Sequence, residues 1–144
     1  METNVCRMRK IITATNKMDG IYYQWAKKTD VKESKLTLLY ALNDGKPHTQ
    51  KQISEGYMIP KTTINTVVRE CIDEGLITMK NEINLKEKSI CLTEKGEEYN
   101  KRIMRDLIVA EETAIRKTLE KYSSEFIEAF EYLVQSMESE VYKK

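Results

Sequence analysis

The chain has 144 residues, of which 40% are hydrophobic and 33% are charged, and its formal net charge is +1. This balance is typical of one soluble globular domain and gives no overall field that would attract nucleic acid or an anionic membrane. No apolar run approaches the roughly 18 residues that a membrane-spanning helix needs, and residues 1–10 do not resemble a secretory signal. We therefore expect a cytoplasmic protein without a membrane partner.

Histidine and cysteine are too few and too dispersed for the common catalytic and metal sites. His48 is the only histidine, and it lies in residues 45–49, which are predicted to form a loop that leads into a helix. Nucleophilic triads and most zinc sites need an imidazole beside a specific partner, and the five glycines form no phosphate-binding loop. The three cysteines are far apart, which argues against a disulfide framework. We expect no enzyme, no cofactor and no metal site.

Two helices are predicted in the first third of the chain. Apolar residues recur at helical spacing over residues 9–29, although Gly20 weakens this helix and marks a bend or a break. A second helix is predicted over residues 34–42, which carry leucines along one side. Residues 43–47 then form a stop-and-turn signal that contains glycine and proline.

A short capped helix is predicted next. Thr49 offers a side-chain oxygen to a helix that reaches residue 55, and Gln52 three residues later completes a capping box. Gly56 is expected to end this helix, and residues 57–59 form a tight turn.

A second helix follows the turn, over residues 60–74, because Pro60 is favoured at the first helical position and Gly75 stops the helix. Its two faces differ in polarity. One face is expected to pack on the core and carries Ile64, Val67, Val68, Cys71 and Ile72. The other face carries Lys61, Thr62, Asn65, Thr66 and Arg69, with Thr63 at the border.

A β-hairpin and two long helices complete the chain. The β-prone residues 76–79 and 89–92 flank a charged stretch, which is typical of a hairpin with a long tip. Thr93 caps a helix over residues 94–121, whose inner side is expected to hold Ile103, Leu107, Ala110, Ala114 and Ile115. A last helix follows Ser123 and Ser124 and carries the apolar residues Phe126, Ile127, Phe130, Leu133, Val134, Met137 and Val141.

Three helices followed by a two-stranded wing predict a winged helix-turn-helix, a mainly α (α+β) fold with long N- and C-terminal helices. In this motif a short helix crosses the DNA backbone, and the next helix enters the major groove with its N-terminal residues. The polar face of helix 60–74 suits this role, since Asn65 can pair bidentately with adenine. Lys61 and Arg69 are candidates for phosphate or guanine, and the amides that follow Pro60 are candidates for phosphate.

These residues resemble the MarR family of bacterial transcription regulators (multiple antibiotic resistance regulator). The resemblance rests on "SKLTLLYALNDGKPHTQKQISEGYMIPKTTINTVVRECIDEGLI" from Ser34 and "SICLTEKGEEY" from Ser89, and it covers residues 20–105 best. The rival PadR family shares the wing and the trailing helix but usually lacks the long helix before the DNA-binding unit, so the helix over residues 9–29 favours MarR. The resemblance implies a homodimer that binds a pseudo-palindromic operator, usually as a repressor that a ligand or oxidation releases.

The candidate DNA-binding residues lie at three points of the chain. They are Thr49, Gln50 and Lys51 at the start of the short helix, Lys61, Thr62, Thr63, Asn65, Thr66 and Arg69 on helix 60–74, and Asn84, Lys86 and Lys88 in the wing. The family commonly has an Asp-x-Arg pair in the wing, where this chain has Asn84-Leu85-Lys86. Asparagine and lysine cannot form the oriented bidentate Asp–Arg pair, so we expect a looser or less selective grip. Wing lysines that only blunt an edge strand are the alternative.

The flanking helices are predicted to join two copies of the chain. Residues 126–141 carry more apolar side chains than a small winged-helix core can cover, so packing against a second copy would bury them. We expect one MarR-like domain over residues 1–144, with a DNA-binding unit over 30–96 and dimerisation helices over 1–29 and 97–144. A two-fold dimer would set its recognition helices about one DNA turn apart, ~34 Å.

A small-molecule effector is the remaining predicted partner. Its candidate pocket residues are Met18, Tyr22, Trp25 and Tyr40, and an ordinary aromatic core is the alternative. Some relatives sense peroxides through an N-terminal cysteine, and Cys6 is the matching candidate, with an inert terminal cysteine as the alternative. Cys71 and Cys91 fall on apolar stripes and are predicted to be core residues.

Together these patterns predict a sequence-specific regulator of transcription, a repressor that binds double-stranded DNA as a homodimer. The alternative is a winged-helix protein–protein adaptor without sequence-specific DNA binding, in which the polar face of helix 60–74 docks a protein.

Overall fold

The computed structural model describes residues 1–80 and 88–143. Its elements, in chain order, are α1 (Asn4–Thr29), α2 (Glu33–Ala41), β1 (His48–Thr49), α3 (Gln50–Gly56), α4 (Lys61–Asp73), β2 (Ile77–Lys80), β3 (Ser89–Leu92), α5 (Glu94–Lys121) and α6 (Glu125–Val141). The chain divides into two compact units, Met1–Arg105 and Asp106–Lys144. Within the described ranges, no helix is long and apolar enough to cross a membrane.

The first helix begins earlier than predicted and is not interrupted. Thr3 Oγ1 accepts a hydrogen bond from the amide of Cys6 at 3.2 Å, so α1 begins at Asn4 rather than near Arg9. Of the two effects predicted for Gly20, a bend or a break, the break does not occur, because α1 continues through this residue to Thr29. A glycine inside a helix costs only about 1 kcal/mol, which the other residues of a long helix readily offset.

The predicted capping box of α3 and the predicted glycine stop of α4 are confirmed. Thr49 Oγ1 accepts from the amide of Gln52 at 3.1 Å, and Gln52 Oε1 accepts from the amide of Thr49 at 3.0 Å. Pro60 is the N-cap of α4 rather than its first helical residue. Gly75 has φ 77°, the left-handed conformation expected of a glycine that ends a helix.

The turn between α3 and α4 differs from the prediction. Gly56 is still helical, and the left-handed residue of the turn is Met58, with φ 53° and a side chain that is 87% exposed. The amide of Ile59 donates to the carbonyl oxygen of Ser54 at 2.9 Å, and the Ser54 hydroxyl donates to the carbonyl oxygen of Ile59. These reciprocal bonds stabilise the strained turn, since they satisfy main-chain groups that no helix pairs.

The predicted two-stranded wing is formed by β2 and β3, and β1 adds a third antiparallel strand to the sheet, in the order β1-β3-β2. His48 pairs with Ile90 and Thr49 with Ser89, while β2 and β3 pair from Ile77 opposite Leu92 to Lys80 opposite Ser89. His48 therefore lies in a strand and not in a loop, and its Nε2 is 2.8 and 3.0 Å from the two carboxylate oxygens of Asp44. A strand of two residues is too short to show alternation in the sequence.

The core of Met1–Arg105 is formed by α2, α3, α4, the wing strands and the start of α5. Its buried apolar residues include Leu36, Leu38, Leu39, Leu42, Ile53, Ile64, Val67, Val68, Leu76, Ile77, Ile90 and Met104. Cys71 and Cys91 are buried as predicted, and burial raises the pKa of the Cys71 thiol to about 11. Ile72, which was expected in the same stripe, is exposed.

The unit Asp106–Lys144 contains the end of α5 and all of α6. No side chain of α6 is buried, and its exposed apolar residues include Phe126, Ile127, Phe130, Val134, Met137 and Val141. On α5, the predicted inner side was correct for Leu107, which is buried, and wrong for Ala110, Ala114 and Ile115, which are exposed. One copy of the chain therefore leaves apolar helix faces uncovered.

Candidate nucleic-acid interface

A groove of about 350 Å³ lies where α3, α4 and the base of the wing meet. Its lining residues are Thr49, Gln50, Lys51, Ser54, Lys61, Ile64, Asn65, Met79 and Lys88. Six of them, Thr49, Gln50, Lys51, Lys61, Asn65 and Lys88, are predicted DNA-binding residues. The fold thus brings members of all three predicted groups, from the short helix, helix 60–74 and the wing, to one surface.

The groove is electropositive. Lys51, Lys61 and Lys88 line it and are exposed, and none of its described lining residues is an aspartate or a glutamate. The first turn of α4 contains no acidic residue, and Pro60 makes no side-chain cap hydrogen bond. The first amides of α4 therefore have no capping side chain, and together with the lysines they can bind phosphate groups.

The exposed face of α4 carries short polar side chains. Thr62, Asn65, Thr66 and Arg69 are exposed, whereas Thr63 is half-buried, as its border position predicts. The Thr66 hydroxyl donates to the carbonyl oxygen of Thr62 at 3.0 Å. The side-chain amide of Asn65 makes no hydrogen bond with any described residue. Its NH₂ donor and its carbonyl acceptor are therefore both available to a base edge.

The C-terminal end of α4 is anchored on the protein. Lys35 Nζ on α2 donates to Glu74 Oε2 at 2.7 Å, and Lys95 Nζ on α5 donates to the carbonyl oxygen of Glu74 at 2.8 Å. Burial lowers the pKa of Lys35, but the hydrogen bond to Glu74 and the nearby negative charges outweigh it, so the pKa is raised overall. This anchor fixes one end of α4 and leaves its N-terminal half at the groove.

Two predicted wing residues, Asn84 and Lys86, lie outside the described residues, so their contribution stays a prediction. Lys88 is described and lines the groove. The predicted looser grip of the wing on DNA therefore concerns residues that follow β2 and precede Lys88.

A second cavity, of about 510 Å³, lies between α1 and α2. It is lined by Asp19, Tyr22, Trp25, Ala26, Glu33, Leu36, Thr37, Tyr40 and Tyr57. Of the predicted pocket residues it includes Tyr22, Trp25 and Tyr40, whereas Met18 is outside the lining and is 55% exposed. Asp19, and not Met18, precedes Tyr22 on the lining face of α1.

The three tyrosine rings of this cavity contact one another edge to face, through Tyr40. The ring centroids of Tyr22 and Tyr40 are 6.4 Å apart, and those of Tyr40 and Tyr57 are 6.2 Å apart. Tyr57 follows α3 in the chain, so its place beside α2 depends on the tertiary fold. The sequence pattern on α1 and α2 could not reveal it.

Two further predictions concern Cys6 and metal binding. Cys6 is exposed near the start of α1. Among the residues that the structure describes, no group of three or more His, Cys, Asp or Glu side chains could hold a metal ion.

Solved structures of MarR family transcriptional regulators resemble this chain over nearly its whole length. A MarR family regulator from Neisseria meningitidis aligns with a TM-score of 0.79 and 20% identity, covering 94% of this chain and 96% of its own. Staphylococcus aureus MarR in complex with salicylate and kanamycin aligns with a TM-score of 0.57 and 21% identity, covering 95% and 91%. NadR in complex with 4-hydroxyphenylacetate aligns with a TM-score of 0.66 and 13% identity, covering 95% and 92%.

These comparisons establish the fold. The expected mainly α, winged helix-turn-helix architecture is confirmed, and β1 adds a third strand to its sheet. The neighbours are regulators of transcription and not enzymes. No protein-family model and no curated protein sequence matches the chain.

Proposed function

We propose that this chain is a MarR-type regulator that binds double-stranded DNA sequence-specifically and represses transcription. The observation that carries the proposal is the groove in which Lys51, Lys61 and Lys88 surround the exposed Asn65. The lysines contact phosphates, which position the protein, while the polar face of α4 enters the major groove and contacts base edges.

The proposed active form is a homodimer on a pseudo-palindromic operator. Residues 1–29 and 97–144 supply the dimerisation helices around a DNA-binding unit over residues 30–96. The proposal is supported by the apolar residues that single chains expose on these helices, Val5, Ile12, Met18 and Ile21 on α1 and Phe126, Phe130, Val134 and Met137 on α6. A two-fold dimer would cover such faces. Sedimentation of a monomer at micromolar concentration would contradict this part.

The cavity between α1 and α2 is the proposed effector site. Three of the four predicted pocket residues line it, and the neighbouring structures of S. aureus MarR and NadR contain small aromatic molecules. A ligand that changes the packing of α1 on α2 would also move α4, because Lys35 on α2 holds the end of α4 through Glu74. Occupation of the cavity is therefore proposed to change operator affinity.

The decisive experiment measures DNA binding as a function of salt. Fragments selected from genomic DNA would be labelled, and fluorescence anisotropy would give the affinity at ~50 and ~200 mM salt. A dimer that contacts several phosphates should lose affinity by orders of magnitude over this range. Replacing Lys51 and Lys61 by glutamine should flatten the salt dependence.

The matched control replaces Lys101 and Lys117, which are exposed on α5 and are not among the residues that line the groove, by glutamine and should leave the salt dependence unchanged. Equal effects of the two double variants would contradict the proposed phosphate contacts. Capture of a protein through the same face of α4, with no DNA binding, would favour the adaptor alternative.

A further inference from the structure

The cavity between α1 and α2 has the opposite charge to the DNA groove. Its lining includes the carboxylates of Asp19 and Glu33. Of the described residues that line it, none is a lysine, an arginine or a histidine. A ligand in this cavity therefore meets negative charge on both α1 and α2.

These two carboxylates are not neutralised by neighbouring cations. Neither Asp19 nor Glu33 forms an ion pair within residues 1–80 and 88–143, and both residues are exposed. Three lysines that lie close to Glu33 in the chain contact other groups. Lys32 Nζ is 3.8 Å from Glu70 Oε1, Lys35 pairs with Glu74, and Lys27 Nζ lies 4.9 Å from the centre of the Tyr23 ring.

Four of the seven other lining residues are aromatic, and the remaining three are Ala26, Leu36 and Thr37. Tyr22, Trp25, Tyr40 and Tyr57 contribute their rings to one cavity of about 510 Å³. The faces of aromatic rings attract cations, and tryptophan does so most strongly. Aromatic rings combined with carboxylates are the lining that recognises ammonium groups on organic molecules.

We propose that this cavity binds an organic cation, a compound with aromatic or alkyl groups around an ammonium or similar centre. The proposal rests on the proposed function in taking this cation as the effector that changes operator affinity. A carboxylate ligand would share the cavity with the carboxylates of Asp19 and Glu33, and like charges repel. The ligand class is therefore expected to differ from salicylate and 4-hydroxyphenylacetate, which the neighbouring structures contain.

Trp25 gives a direct test, because it is the only tryptophan of the chain and it lines the cavity. The purified full chain would be titrated with tetraphenylphosphonium, a cation, and with tetraphenylborate, an anion of nearly the same size and shape. Tryptophan fluorescence excited near 295 nm should change saturably with the cation and much less with the anion. With Trp25→Phe the signal should disappear, while equilibrium dialysis should still detect the bound cation.

Charge variants separate recognition from structural damage. The double variant Asp19→Asn with Glu33→Gln should weaken cation binding by about tenfold and strengthen anion binding, since it removes two charges and keeps the shape. The control double variant, Asp73→Asn with Glu98→Gln, makes the same change of net charge at exposed positions outside the lining and should have little effect.

Equal binding of the two probes, no binding of the cation, or weaker binding of both probes to the cavity variant would overturn the proposal. Anisotropy with operator DNA distinguishes this outcome from failure of the proposed function. DNA binding without cation binding would refute only the ligand class. Cation binding by a chain that binds no DNA would refute only the regulator function.

Discussion

Asn100 on α5 donates from Nδ2 to the main-chain oxygen of Leu39 on α2 at 2.8 Å, and both residues are buried. Leu39 is one of the last residues of α2, whose carbonyl groups have no partner further along the helix. The side chain of Asn100 therefore satisfies a buried carbonyl at the end of α2 and joins the start of α5 to the core of the first unit.

Asn100→Ala should lower the free energy of unfolding by about 2 kcal/mol, because it leaves the Leu39 carbonyl unpaired in a dry environment. Urea denaturation of the full chain would measure the change. Lys101→Ala, at the exposed neighbouring position, should change the free energy by less than about 0.5 kcal/mol. Equal losses of unfolding free energy in the two variants would show that the buried hydrogen bond does not stabilise the protein more than a surface residue does.

Replacing Gly96 or Gly20 by alanine should change the stability of the protein in opposite directions. A Cβ on Gly96 would overlap the carbonyl oxygen of Leu76, so Gly96→Ala should destabilise the protein by about 2 kcal/mol or more. A Cβ on Gly20 would meet no atom within 4 Å, so Gly20→Ala should stabilise α1 by up to about 1 kcal/mol. Thermal unfolding of the two variants would show a lower and a higher midpoint, and the same sign for both would contradict the packing described here.

Asn65 and Lys88 should affect DNA binding differently. Asn65→Ala should relax the preference for one base pair by about 1–3 kcal/mol, because the amide is placed to contact a base edge. Lys88→Ala should weaken all sequences to a similar extent and lower the salt slope by about 1, because it removes one phosphate contact. Competition between operator and scrambled DNA measures both effects, and the reverse pattern would refute these roles.

Stability should fall in alkaline solution through Cys71 and Lys35. The pKa of the Cys71 thiol is raised from 9.0 to about 11, so from pH 9 to 11 the unfolded chain releases a proton that the folded chain keeps. The unfolded state then binds fewer protons, and the free energy of unfolding decreases as the pH rises, by up to about 3 kcal/mol. The raised pKa of Lys35 acts in the same direction as the pH passes 10.5.

Unfolding by urea at several pH values would measure this dependence. Cys71→Ala should flatten the decrease between pH 9 and 11, although it lowers the stability at pH 7 by removing a buried side chain. Cys6→Ala, at an exposed position, should keep the full decrease. An unchanged pH dependence in Cys71→Ala would assign the effect to other groups.

Local signals in the sequence predicted the helix-turn-helix well. The Thr49 and Gln52 capping box and the Gly75 stop are formed by residues a few positions apart, so their geometry depends little on the rest of the chain. The polar and apolar faces of α4 follow from helical spacing alone, and only Ile72 departs from the expected burial.

Features that depend on distant residues were not visible in the sequence. No local pattern singles out Asn100, because its partner Leu39 lies 61 positions earlier in the chain. Tyr57 lines the aromatic cavity because the turn after α3 packs beside α2. The role proposed for Asp19 and Glu33 depends on the aromatic residues that line the same cavity. The left-handed residue of the turn is Met58, against the strong preference of glycine for this conformation.

The position of Thr49 has a mechanical consequence. The same residue caps α3 and pairs with Ser89 at the start of β3. A displacement of β3 would therefore be transmitted directly to the first turn of α3, with no intervening loop. The wing and the helix-turn-helix should therefore move together as one rigid body. A ligand that weakens the packing of one is expected to weaken the packing of the other.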